Sequence, residues 1–145
     1  MNVAIMSIGD ELMNGFTIDT NSSWIANRII EYQSLDVISK VTVKDDPSDI
    51  KNNLDDLISN KVDYIFITGG LGPTHDDITK KVLSDYFNVD LVLNSSYYSR
   101  LELFFKNKNI KKASHLKSQA QILENSTPIP NRYGTALGMK IKYKK

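Results

Sequence analysis

The chain has 145 residues, 41% of them hydrophobic, a length that fits one domain (residues 1–145) able to bury roughly two-thirds of its unfolded surface. Its 18 Lys and Arg balance 17 Asp and Glu to a formal charge of +1, with no extended run of one sign, which argues against nucleic-acid and membrane partners. Zero cysteines exclude disulfides, thiolate catalysis and zinc–thiolate sites, and suit a reducing, cytoplasmic setting.

In chain order, the run VAIMSI at 3–8 lacks a basic lead and stops at Gly9, Asp10 and Glu11, so it is neither a signal peptide nor a membrane span. Short and almost entirely apolar, it reads as a strand buried on both faces. After the polar segment GDELMNGFTIDTN, Trp24, Ile25, Ile29 and Tyr32 recur at helical spacing, with Asn21 or Ser22 as the N-cap. Residues 37–43 alternate and are rich in β-branched side chains, which predicts a second strand ending at Asp45 and Asp46. Pro47 suits the first position of a helix, and Ile50, Leu54, Leu57 and Ile58 give that helix one apolar stripe.

Residues 64–67 predict a third buried strand, running into TGGLGPTHDDIT at 68–79. A third helix follows from near Asp76 or Asp77, either of which could cap it, with Ile78, Val82, Leu83 and Tyr86 on one face. Beyond Ser95, one helix is expected around Tyr97 to Phe105 and another over residues 113–123. A loop-like STPIPNRYGTALG and a last strand MKIKY complete the chain. The aromatics Trp24, Tyr97, Tyr98, Phe104 and Phe105 are expected in the core or at a subunit interface, which makes a homo-oligomer plausible. His115 is read as surface, and so is the Lys140, Lys142, Lys144, Lys145 tail.

Strand, loop and helix repeated three times imply an α/β fold: a three-layer α/β/α arrangement around a mostly parallel sheet with core order 2-1-3. Ligands in such sheets bind beyond the carboxyl ends of the strands, where strand order reverses. The polar loops after strands one, two and three are expected to meet there. Two phosphate motifs are excluded: no Gly-Lys pair exists for a P-loop, and Gly70-x-Gly72 leads to His75 where a dinucleotide fingerprint needs glycine. Gly69, Gly70 and Gly72 either make a tight turn or offer N–H groups to phosphate at a helix start. The carboxylates of Asp77, Asp45 and Asp10 repel phosphate unless a divalent ion lies between. Glu11, Asp19 and Asn21 suit ribose hydroxyls or a base edge. Thr68 and Thr79 are expected as backbone partners.

Four collinear segments carry a resemblance: IGDELMNGFTIDTN, VKDD, TGGLGPTHDDIT, and LKSQAQILENSTPIPNRYGTALG. Together they resemble the molybdopterin-binding MoaB/Mog-like superfamily, and within it the N-terminal domain of the CinA, or competence/damage-inducible, family. That resemblance implies a hydrolase cleaving a nucleotide-sugar pyrophosphate such as ADP-ribose, with Asp45 and Asp77 catalytic and holding Mg, Mn or Co. Gly69, Gly70, Gly72 and Thr74 would lie near phosphates, and Asn131, Gly134, Thr135 and Gly138 near the same ligand. The alternatives are molybdopterin binding or adenylation, and a noncatalytic nucleotide-binding or oligomerisation module. Two departures stand out: Asp76 occupies the place of an arginine common in the molybdopterin enzymes, and Leu137 that of an expected proline. The chain also ends soon after GTALGM, where family domains continue, so a C-terminally truncated domain is expected.

Overall fold

A computed structural model describes residues 1–108 and 116–143. It divides into two compact units, Met1–Gly70 and Leu71–Lys145.

The first unit is built on β1 (Asn2–Ile8), β2 (Asp36–Val43) and β3 (Tyr64–Thr68), all parallel, in the order β2-β1-β3. The expected central strand is therefore confirmed, and every residue from Val3 to Ile8 is essentially inaccessible to water. Because strand side chains alternate, Val3 and Ile5 share one face. There they pack with Ile29 and Ile25 of α2 (Thr20–Ile30). α3 (Pro47–Ser59) starts at Pro47, with Asp46 as N-cap accepting from the N–H groups of Ser48 and Asp49. Its stripe is as expected, with Ile50, Leu54 and Leu57 buried. Burial of each such side chain contributes roughly 1.5–3 kcal/mol, more than the ~1 kcal/mol of the cap.

Several expectations are corrected in this unit. The segment after β1 is not all loop, because residues Asp10–Met13 form a short helix, α1. The cap of α2 is Asp19, whose Oδ1 accepts the Ser22 N–H at 2.9 Å, rather than Asn21 or Ser22. Trp24 is 63% exposed, so of its two expected places, core or subunit interface, it does not take the first. β3 is not buried on both sides, since Tyr64 and Phe66 are exposed.

The second unit holds α4 (Thr79–Phe87), β4 (Leu91–Leu93), α5 (Ser95–Asn107), α6 (Leu116–Gln119), β5 (Gln121–Leu123), β6 (Thr127–Ile129) and β7 (Gly138–Lys140). β4 pairs antiparallel with β5, and β6 with β7. The core gathers Tyr97, Leu101, Leu116, Ala120, Ile122 and Leu137, with Tyr98 and Phe105 packed against it, while Phe104 is exposed. The helix expected over 113–123 is replaced, within the described residues, by a single turn and then strand β5. The loop-like 126–138 segment contains β6. Residues 113–115, including His115, and Lys144 and Lys145 lie outside the described residues.

One glycine is fixed by geometry. Gly69 has φ 98°, and a Cβ placed on it would lie 1.9 Å from the Ile8 carbonyl oxygen. Gly15 also has positive φ, 73°, but nothing lies within 4 Å of a Cβ there. Gly15→Ala should therefore cost only about 1 kcal/mol for the left-handed backbone, whereas Gly69→Ala should cost about 3 kcal/mol or leave the protein unfolded. Urea unfolding of the two variants measures the difference, and equal losses would contradict the close approach at Ile8.

Candidate functional site

In the first unit the loops after β1 and β2 are tied to one another. The Asp10 N–H donates to Asp45 Oδ2 at 3.1 Å, and the Asp45 N–H donates to Asp10 Oδ1 at 3.3 Å. This reciprocal pair exists because Ile8 and Val43 end in register, with the Gly9 N–H on the Val43 carbonyl at 3.0 Å. The expectation that Asp10 and Asp45 share one rim is thus met by direct hydrogen bonds.

Between the carboxyl ends of β1 and β3 lies a cleft of about 120 Å³, lined by Glu11, Leu12, Thr17, Ile18, Asp19, Thr20, Asn21, Thr68 and Gly69. Of the residues expected to contact a ligand, it brings together Glu11, Asp19, Asn21 and Gly69. Thr68 does more than support backbone, because its hydroxyl accepts from Asn21 Nδ2 at 3.1 Å and so ties α2 to the end of β3. The apolar contribution of Ile18 escapes sequence reasoning, since no period marks a hydrophobic residue inside a polar loop. Burial pushes the Asp19 carboxyl upward, but hydrogen bonds from the Ser22 hydroxyl and N–H outweigh this and lower its pKa below the usual 3.8. The Ser7 hydroxyl, buried without a hydrogen bond of good geometry, and the Lys40 charge act in the same direction. Asp19 is therefore a carboxylate at neutral pH and can only accept hydrogen bonds.

The turn that opens the second unit is organised by Asp77. Its Oδ1 accepts the Gly72 N–H at 2.7 Å, and its Oδ2 accepts both the Thr74 N–H at 2.7 Å and the Thr74 hydroxyl. Asp77 is therefore not the cap of α4, which starts after Ile78 with no side-chain cap bond. A Cβ on Gly72 would lie 2.7 Å from Asp77 Oδ2, so a side chain there would displace the carboxylate from this turn. Burial alone would raise the Asp77 pKa, yet the bonds from Thr74 and Gly72 hold it below the ordinary value. The neighbouring His75 and Asp76 are exposed.

The 131–138 loop follows a similar plan. Asn131 Oδ1 accepts the N–H groups of Tyr133 and Gly134, at 3.0 and 2.8 Å, while its Nδ2 donates to the Ala136 carbonyl at 3.2 Å. Asn131 thereby shapes the loop from within. Thr135 Oγ1 accepts from Gln119 Nε2 at 2.9 Å, and Gly138 lies in β7 opposite Ile129. Among the described residues no group of three or more His, Cys, Asp and Glu side chains is gathered as for a metal ion. No helix there is long and apolar enough to cross a membrane.

Comparison with known proteins now bears on these loops. Residues 4–140 match the family described as "probable molybdopterin binding domain". The chain belongs to that family. It is 36% identical over 143 residues to a CinA-like protein of Petrotoga mobilis, covering 99% of this chain and 35% of that relative. The chain spans about a third of the length of the curated relatives it matches. Among solved structures, it is similar to the protein CinA, of unknown function, from Thermoplasma acidophilum. That likeness has a TM-score of 0.77 and 27% identity, and covers 95% of this chain and 79% of that one. The tungsten cofactor synthesizing protein MoaB of Pyrococcus furiosus shares the fold, at a TM-score of 0.59 and 16% identity, with the same coverage of each chain. The family match thus spans the reciprocal aspartates, the Asp77 turn and the Asn131 loop alike.

A depressed carboxylate pKa contributes stability above the unfolded value and loses it as pH falls through the folded value. Asp77→Asn should therefore be less stable than the parent at pH 7, with the gap closing below about pH 3.8, the ordinary value for aspartate. Urea midpoints at pH 7 and pH 3 check this. A gap as large at pH 3 as at pH 7 would show that the ionised carboxylate is not what holds the turn.

Proposed function

We propose that this domain binds a nucleotide-sugar pyrophosphate of the ADP-ribose type and hydrolyses its pyrophosphate bond. The observation that carries the reading is the cleft beyond β1 and β3, where Asp19, Glu11 and Asn21 offer acceptors beside Thr68 and Gly69. An ionised Asp19 repels phosphate but accepts well from hydroxyl and amino groups, so the cleft suits ribose hydroxyls or the amino edge of a heterocycle. Ile18 lends an apolar surface to the same cleft.

Asp10 and Asp45, on adjacent loops of one rim, form the oxygen-only donor set that Mg, Mn or Co take together with phosphate oxygens and water. Asp77 fits that role less well, because Gly72 and Thr74 already place three hydrogen bonds on its two oxygens. The ion, when bound, supplies neutralisation of charge developing on the phosphate oxygens. Asp10 and Asp45 would hold it, Asp19 and Asn21 would orient the sugar, and Asp77 keeps the glycine turn in one shape. Within the second unit, the 131–138 loop is proposed as a ligand-binding element of its own.

The family match favours a second reading, in which the ligand is a pterin such as molybdopterin. The same acceptors would meet the pterin's amino and ring N–H groups. Fluorescence titration with a pterin separates the two readings, since saturable quenching is expected of the second alone.

With ADP-ribose and Mg²⁺, Mn²⁺ or Co²⁺, AMP release is expected, falling about 100-fold in Asp45→Asn with its folding checked by circular dichroism. Absence of AMP with all three ions, while a full-length CinA-like relative produces it, would sink the hydrolase reading. Asp19→Asn keeps an N-cap acceptor but loses the ionised carboxylate, so it should raise KM about tenfold with only a small loss of Tm. A fall in Tm with KM intact would reduce Asp19 to a cap.

A further inference from the structure

Lys80 is the second residue of α4 and is buried, with 7% of its surface exposed. Both facts run against its chemistry. Lysine is almost never fully buried unless paired, and a cation in the first turn of a helix opposes the helix dipole. Burial lowers the ammonium pKa from 10.5 to about 8. An apolar side chain of similar length could fill the space without that cost.

What an apolar side chain could not do is hold two carbonyls. Lys80 Nζ donates to the Ser118 carbonyl at 3.0 Å and to the Gln119 carbonyl at 3.3 Å, at the carboxyl end of α6, where a cation is favoured. Gln119 is the junction. Its carbonyl also accepts the Leu137 N–H at 2.9 Å, and its side-chain amide donates to Thr135 Oγ1 at 2.9 Å. Gln119 itself is buried, as is Leu137, so these bonds are shielded from water.

We propose that Lys80 is a positioning residue: by clamping the Ser118 and Gln119 carbonyls it fixes Gln119, and through Gln119 it sets the conformation in which the 131–138 loop meets its ligand. A hydrogen bond from a charged donor to a buried carbonyl is stronger than a neutral one, so this device is stiffer than a helix end capped by water. The ligand part of the proposal rests on the reading given under Proposed function; the clamp itself does not.

The test compares Lys80→Met with Lys80→Arg, using amide hydrogen exchange, thermal unfolding and ADP-ribose titration. In Lys80→Met, exchange at Leu137 should accelerate about tenfold or more while Ile5 of β1 is unchanged, and ADP-ribose affinity should fall about tenfold. Lys80→Arg, which keeps charge and donors, should restore part of both. Unchanged exchange at Leu137 overturns the clamp, as does acceleration shared equally by Ile5, which would mark a general loss of stability. A loosened Leu137 with unaltered affinity overturns the link to ligand. If the unsubstituted protein binds no ADP-ribose, the functional reading fails and Leu137 exchange alone decides the clamp. Should Lys80→Met not fold, the same criteria apply to Lys80→Gln, which keeps a neutral donor.

Discussion

The backbone of this protein turns on one close approach, where the chain leaving β3 passes against the Ile8 carbonyl with no room for a side chain at Gly69. With φ at 98° there and 58° at Gly70, both residues hold left-handed backbone immediately beyond the strand, which only glycine adopts without strain. Gly69 and Thr68, last in its strand, line the cleft beyond β3, and Thr68 accepts a hydrogen bond there from Asn21. Two glycines that look permissive in sequence are here a steric requirement and a conformational one.

Much of the first unit was legible because its signals are local and redundant. VAIMSI offers no polar face, so only a strand covered on both sides can accommodate it, and the structure places it at the centre of the sheet. Pro47 with the Ile50, Leu54, Leu57 stripe combines a start signal and a period, and both were realised. The α2 cap was misplaced by sequence reasoning because Asp19, Asn21 and Ser22 are all capping residues within four positions. The helix starts at Thr20, which leaves Asp19 outside its first turn with its carboxylate on the Ser22 N–H. The second unit was harder. Its strands are three residues long, too short for a period of two to show, and their pairing joins residues about 10 to 30 positions apart. Leu91–Leu93 and Gln121–Leu123 become strands because they meet each other, a fact no window of sequence contains.

The candidate site residues were located better than their roles were. Asp10 and Asp45, Asp77, and Asn131 all belong to loops expected to meet a ligand, yet each spends hydrogen bonds on its own protein's backbone. Sequence can mark a polar residue in a glycine-rich loop, but it cannot say whether that residue faces a ligand or a neighbouring N–H. The two uses are compatible. A loop whose amides are held by internal carboxylates reaches the ligand already ordered, and the entropy of ordering has been spent in folding rather than in binding. Lys80 extends that economy inward, anchoring Gln119 beneath the Thr135 segment.

The Asp77 turn has a consequence for competition. Its glycine-rich backbone is the kind that binds anions, and Asp77 is an anion tethered only three residues from Thr74. On so short a tether the carboxylate's effective concentration is of order millimolar or higher. Free phosphate at lower concentrations would therefore lose to the resident side chain for the Gly72 and Thr74 amides. A ligand displacing Asp77 would need binding energy gained elsewhere on the same molecule. A ligand for this turn would thus be selected by size as well as by charge, as an anion that arrives attached to something larger.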